Sequence, residues 1–240
     1  MRRIAAATVV LGTLSAVALI SATLAPAAMA DGSGTGSGID KQRMMVKKDV
    51  PAVLGKTTTY GFTNRTLDRT LDICEDAVGK STAIVAPARQ AWVDIENKST
   101  KAAPYSDESE FVYQYDGTPA ATAAFADLKA AAAACTGVTT GKEQSSSDTG
   151  VTLTTTLSTG QATAGAAGAA VWVQESTIYK APAGNPANGS KLILYKVFSQ
   201  PGDAIVVTQF YINGASAISA AQTAAVQQLA ATNSMRWMAR

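Results

Sequence analysis

The chain has 240 residues and no histidine, which limits the chemistry its side chains could perform. Without histidine there is no Ser–His or Cys–His nucleophile pair and almost no route to a catalytic zinc site. Neither a G-x-S-x-G elbow nor an S-x-x-K motif occurs. Carboxylates remain, because a glycosidase needs only two acids at a set separation. The acids with suitable spacing are Asp94 with Glu96, and Asp107, Glu108 and Glu110. Asp94 and Glu96 share one face of a strand-like segment. Solvated strand acids keep ordinary pKa values, so no catalytic residue is assigned and the protein is expected not to be an enzyme. Asp72, Glu75 and Asp76 could offer oxygens to calcium, but they lack the D-x-D-x-D-G loop. No metal site and no cofactor are expected.

Five aromatics on strand-like segments are the candidate ligand contacts: Trp92, Tyr113, Tyr115, Trp172 and Tyr211. Such residues either fill a core or present flat apolar faces in a groove. In the second case the ligand would be a small molecule, glycan or lipid of the cell envelope.

Arg2 and Arg3 precede an apolar stretch, Ile4 to Leu24, which Pro26 breaks; Ala28-Met29-Ala30 then supplies a small-x-small cleavage pattern. Residues 1–30 are expected to be a signal peptide cleaved after Ala30, leaving a secreted or extracytoplasmic protein without a stable membrane anchor. An uncleaved anchor is the competing possibility, weakened by the Thr and Ser residues within the stretch. Arg2 and Arg3 also account for the whole formal charge of +2. The remaining chain is neutral and has no basic run, which argues against nucleic acid and against electrostatic attachment to membranes. Charged residues are only 16% of the chain, a bias common in exported proteins of GC-rich bacteria.

Cys74 and Cys135 are the only cysteines. In an oxidising compartment they are expected to pair, closing a loop whose entropy is worth roughly 4 kcal/mol. Two separate buried thiols are the alternative.

The elements that must position these residues follow from spacing. Asp31 to Gly38 is Gly/Ser-rich and opens a flexible linker over 31–45; one domain occupies 46–240. Leu67, Leu71, Cys74 and Val78 form a helical stripe in a short helix or turn over 64–77. Period-two alternation predicts strands at 91–96, 110–115 and 151–157. Further strands are predicted at 169–178, 191–199 and 204–212, the last two joined by a tight Pro201-Gly202-Asp203 turn. Thr118 as N-cap and Pro119 at the first position predict a helix to Cys135, and a second helix is predicted over 215–231. Residues 139–149 are read as a polar loop and 160–168 as a Gly/Ala turn. The expected fold is α+β: an antiparallel sheet of about five to six strands with two main helices packed on one face.

VKKDVPAVLG (46–55), LDICED (71–76) and EFVYQYDGTPAATAAFADLKAAAAAC (110–135), followed by AIVVTQFYING and an Ala-rich last helix, resemble the extracellular sensor domain of PknH-type actinobacterial kinases and its free-standing secreted or lipoprotein relatives. The resemblance implies an antiparallel sheet with helices on one face and a cleft for an envelope molecule. Two departures stand out: the sensor domain carries a second disulfide, and no kinase segment is present here. The expected function is an exported, non-enzymatic, ligand-binding or sensor-like protein of the cell envelope. The alternatives are a protein-interaction or structural envelope component and a secreted carboxylate hydrolase.

Overall fold

The computed structural model describes residues 39–55, 57–65, 71, 87–97, 105–142, 151–185, 188–215 and 217–238. The leader, its cleavage site, the 31–38 linker, Cys74 and the three acids of the 72–76 cluster lie outside the described residues.

Three strands come first: β1 (Thr57–Arg65), β2 (Arg89–Asn97) and β3 (Ser106–Gln114). Helix α1 (Thr118–Ala134) follows, then β4 (Gly137–Lys142), β5 (Thr152–Thr163), β6 (Ala169–Lys180), β7 (Lys191–Ser199) and β8 (Ala204–Asn213), and finally α2 (Ala220–Met238). All eight strands form one sheet in the order β1-β2-β3-β8-β7-β6-β5-β4, and every neighbouring pair is antiparallel. The two halves of the chain meet at the β3–β8 pairing, where Val112 faces Val206.

The sheet therefore exceeds the five to six strands expected. The two additional strands are β1, at one edge, and β4, in what reads as a polar loop. Both are rich in threonine, whose branched side chain suits a pleated surface; in β1 only Tyr60 and Phe62 alternate toward the core. Asn64 and Arg65 end β1 and do not open a helix. β5 continues to Thr163, beyond the predicted end at Leu157.

The helices also differ from expectation: they lie on opposite faces of the sheet. Val112 and Val206 pack with Val226 and Leu229 of α2. Their strand neighbours Phe111, Ile205 and Val207 pack with Phe125 and Leu128 of α1. Successive strand residues point to opposite faces, so two cores are built, each under one helix. Both helices are alanine-rich, and small side chains let each lie close to the pleat.

Helix starts have local causes. Gly117, at φ +96°, takes the cap position expected for Thr118, with no side-chain cap. Only glycine adopts that backbone without strain, so Thr118 becomes the first helical residue. α2 begins later than predicted because Ser219 and Gln222 form a capping box: Gln222 N–H donates to Ser219 Oγ at 3.2 Å, and Ser219 N–H donates to Gln222 Oε1 at 3.0 Å.

Residues 39–45 of the expected 31–45 linker are structured. Ile39, Met44 and Met45 are buried in the α2-side core, and residues 39–54 form a strap across that face. Arg43 lies 4.4 Å from the Trp237 ring and Arg236 pairs with Asp49 at 2.7 Å. Glu110 is fully buried and accepts hydrogen bonds from the Met45 N–H and from Trp237 Nε1.

Candidate functional site

The α1-side face of the sheet is graded, and the strand register shows how. In the first row Gln90 faces Tyr113, which faces Ile205. The next runs Trp92, Phe111, Val207, Phe198, Val171. The third is Asp94, Ser109, Gln209, Lys196, Val173, and the fourth is Glu96, Asp107, Tyr211, Leu194, Glu175. Thus one end is aromatic and apolar, in contact with α1, and the other is polar and acidic.

At the aromatic end Tyr115 follows β3 and is buried among Leu71, Ala121, Phe125 and Leu128. Tyr113 and Phe111 pack against the same cluster. Two polar atoms in this region are buried without a hydrogen-bond partner among the described residues: Tyr115 Oη and Gln90 Oε1. Gln90 is 3% exposed and is the cross-strand partner of Tyr113, two residues before Tyr115. Burial alone pushes the Tyr115 hydroxyl up to about 12, so it stays protonated and able to donate. An unpaired buried polar group costs about 1–3 kcal/mol, and folded proteins seldom leave two of them in one region.

At the polar end Tyr105 Oη donates to Asp107 Oδ2 at 3.4 Å. Tyr105 and Tyr211 meet edge to face, with ring centres 5.9 Å apart. Burial, then the neighbouring Asp94 and Glu96 charges, push the Asp107 carboxyl up to about 7. Asp94 is raised by burial, against hydrogen bonds from Ser109 and Trp92. On the same face Lys196 Nζ and Glu175 Oε1 lie 3.4 Å apart, both largely buried.

The structure separates the acids that sequence spacing grouped. Glu108 and Glu110 point to the α2 side, whereas Asp94, Glu96 and Asp107 lie on the α1 side, so the run Asp107, Glu108, Glu110 cannot act as one centre. The five candidate aromatics also divide. Trp92, Tyr113, Tyr115 and Tyr211 share the α1-side face, with Tyr211 at its acidic end. Trp172 lies on the opposite face, stacked on Tyr195 at 5.8 Å, and lines no site with the others.

Gln90 and the Lys196–Glu175 pair were not singled out from sequence. Lys196 carried a signal, a lone charge inside the continuous run LILYKVF. Gln90 carried none, because a strand-end amide is ordinarily solvated. Cys135 is buried on the α1 side and is held in a disulfide; with Cys74 undescribed, the Cys74–Cys135 pairing remains the expectation. Among the described residues no group of acids and cysteines is placed to hold a metal ion.

No family model matches the chain, and no curated protein matches it. Among solved structures it is similar to the extracellular domain of PknH from Mycobacterium tuberculosis, with a TM-score of 0.48 and 11% identity over 82% of this chain and 93% of that one. The likeness is a distant one of overall layout, and no family, ligand or role is taken from it.

Proposed function

We propose that this chain is an exported, non-enzymatic ligand-binding protein of the cell envelope, sensor-like in build, and that its ligand inserts between α1 and the aromatic end of the sheet. One observation carries this: Gln90 Oε1 and Tyr115 Oη are buried on one sheet face with no partner among the described residues. Together they offer an acceptor and a hydroxyl within apolar and aromatic walls. The matching ligand is largely apolar and carries a hydroxyl or similar group, as an envelope lipid or glycolipid does. A Cys74–Cys135 bridge would hold the end of α1 while its other end moves to admit the ligand. Trp92, Tyr113 and Tyr115 are the contacts assigned to this site.

Thermal-shift titration with envelope lipid and glycan fractions tests the proposal, using the native chain alongside Tyr115→Phe and Gln90→Leu. A saturable rise in Tm that both substitutions weaken is expected. If no fraction shifts Tm, or if a shift persists unchanged in both variants, the proposal fails.

A second function is favoured by Asp107, whose carboxyl titrates near neutrality beside Asp94 and Glu96. A buried carboxyl pushed up toward neutrality among other acids is the arrangement a general acid requires. A hydrolase using it would lose glycoside-cleaving activity in Asp107→Asn and in Asp94→Asn, while keeping the lipid-induced Tm shift.

A further inference from the structure

The two unpartnered atoms behind α1 differ in kind, and the difference selects among ligands of the site proposed above, on which this inference rests. Gln90 Oε1 is a carbonyl oxygen and can only accept, whereas the Tyr115 hydroxyl can donate or accept. Both atoms are buried without a hydrogen-bond partner among the described residues. Gln90 is 3% exposed and Tyr115 5%.

Strand register brings the two residues together. Gln90 pairs with Tyr113 across β2 and β3, and Tyr115 lies two residues further along, on the same face. Diagonal neighbours of this kind sit about 7–8 Å apart, within reach of long side chains. The main chain holds both. Tyr115 N–H donates to the Asp203 carbonyl at 2.9 Å, and the Tyr115 carbonyl accepts from the Gly117 N–H at 2.8 Å. Gln90 is paired on both sides, with Arg65 of β1 and Tyr113 of β3. Around the tyrosine ring pack Ala121, Phe125 and Leu128 of α1.

We infer that the site takes a neutral lipid alcohol, whose single hydroxyl bridges the pair by donating to Gln90 Oε1 and accepting from Tyr115 Oη. An aliphatic hydroxyl is the smallest group that does both, and the alkyl chain behind it meets the alanine and phenylalanine side chains of α1. An ether oxygen accepts from Tyr115 but leaves Gln90 Oε1 unpaired. An ionised fatty acid also accepts from Tyr115, yet it sets lone pairs against lone pairs at Gln90 Oε1 and gives up the water that solvated its charge. Burial pushes the Tyr115 hydroxyl up to about 12, so it keeps the proton it donates at any pH that ionises a fatty acid.

Thermal-shift titration of the full chain at pH 8 with octan-1-ol, octyl methyl ether and octanoate tests the assignment, each variant being compared with its own ligand-free Tm. Octan-1-ol should give a saturable rise. Half-saturation by the ether and by octanoate should need about tenfold more ligand, the worth of one hydrogen bond to a buried acceptor. Two substitutions then separate the two bonds. Gln90→Leu should erase the preference for alcohol over ether, because the remaining bond is one that both accept. Tyr115→Phe should weaken alcohol and ether alike and leave their ratio unchanged. Equal half-saturation by alcohol and ether in the native chain overturns the assignment and leaves an apolar site standing. So does a preference for octanoate, which would mean that the Gln90 amide turns its nitrogen to the ligand. No shift with any of the three, beside a saturable shift with the envelope fractions, removes the lipid alcohol alone. No shift with either removes the site itself and the alcohol with it.

Discussion

Trp237, on the last turn of α2, donates its indole N–H at 3.2 Å to the Glu110 carboxylate at the middle of β3. The Met45 N–H donates to the same carboxylate, so a single buried acid joins the strap, the sheet and the C-terminal helix. Around it, Arg43 stacks on Trp237 and Arg236 pairs with Asp49.

Glu110 should make stability fall as pH rises toward neutrality. Burial, outweighing the Met45 and Trp237 hydrogen bonds and the Arg236 charge, pushes its carboxyl up to about 7 from an ordinary 4.5. The folded state thus binds a proton that the unfolded chain has already released. Stability is greatest below the ordinary value, declines through the window between the two, and is flat above it. The loss is on the order of 3 kcal/mol. Urea unfolding at pH values from about 4 to 8 measures it, and Glu110→Gln should flatten that slope. A Gln variant with the native slope would assign the effect to another group.

Tyr115→Phe should stabilise the ligand-free protein. Its hydroxyl is buried without a partner, so removing it relieves a desolvation cost and leaves the ring packing among Leu71, Phe125 and Leu128. A gain of about 1 kcal/mol is expected. A loss of that size in denaturant unfolding would show that the hydroxyl is bonded after all.

Much of the fold was legible in the sequence because burial leaves a period. The alternation in EFVYQY, the turn at Pro201-Gly202-Asp203 and the stripe Phe125–Leu128–Cys135 each placed an element near its observed position. β1 and β4 were missed because these sheet-edge strands are rich in threonine and glycine, and their apolar residues are too few to set a period: Tyr60 and Phe62 in one, Val138 in the other. The sidedness of the helices was hidden for a different reason. Val112 and Phe111 look alike as apolar residues, and only the register shows that one faces α2 and the other α1. The candidate site was half visible: its aromatics stood out, while Gln90 became informative only when its lack of a partner could be seen.

The Lys196–Glu175 pair should behave as a unit. Lys196 is 5% exposed and approaches Glu175 at 3.4 Å, on the face that also carries Asp94 and Asp107. Lys196→Met leaves a largely buried carboxylate without this counter-charge and is expected to cost about 3 kcal/mol. The double change Lys196→Met with Glu175→Leu should recover most of that, since an apolar pair carries no desolvation penalty. A double-mutant cycle by urea unfolding reads the coupling. Additive losses would mean that the two side chains stabilise the fold independently.

Gly160 has no room for a side chain. It faces Trp172 across the β5–β6 pairing, and a Cβ there would lie 2.5 Å from the indole ring. That ring has little room to retreat. It is stacked on Tyr195 at 5.8 Å with 24° between planes, and Gln227 Nε2 donates to the Tyr195 hydroxyl at 3.0 Å. Gly160→Ala must therefore either unstack Trp172 or push β5 away from its partner. Either outcome should cost about 1–3 kcal/mol and shift the tryptophan emission to the red as the indole meets water. The change should be confined to the α2 side: Tyr115 and Gln90 lie on the other face, so the ligand-induced Tm shift should survive in this variant. Loss of that shift in Gly160→Ala would couple the two faces and place Trp172 back among the ligand's supports.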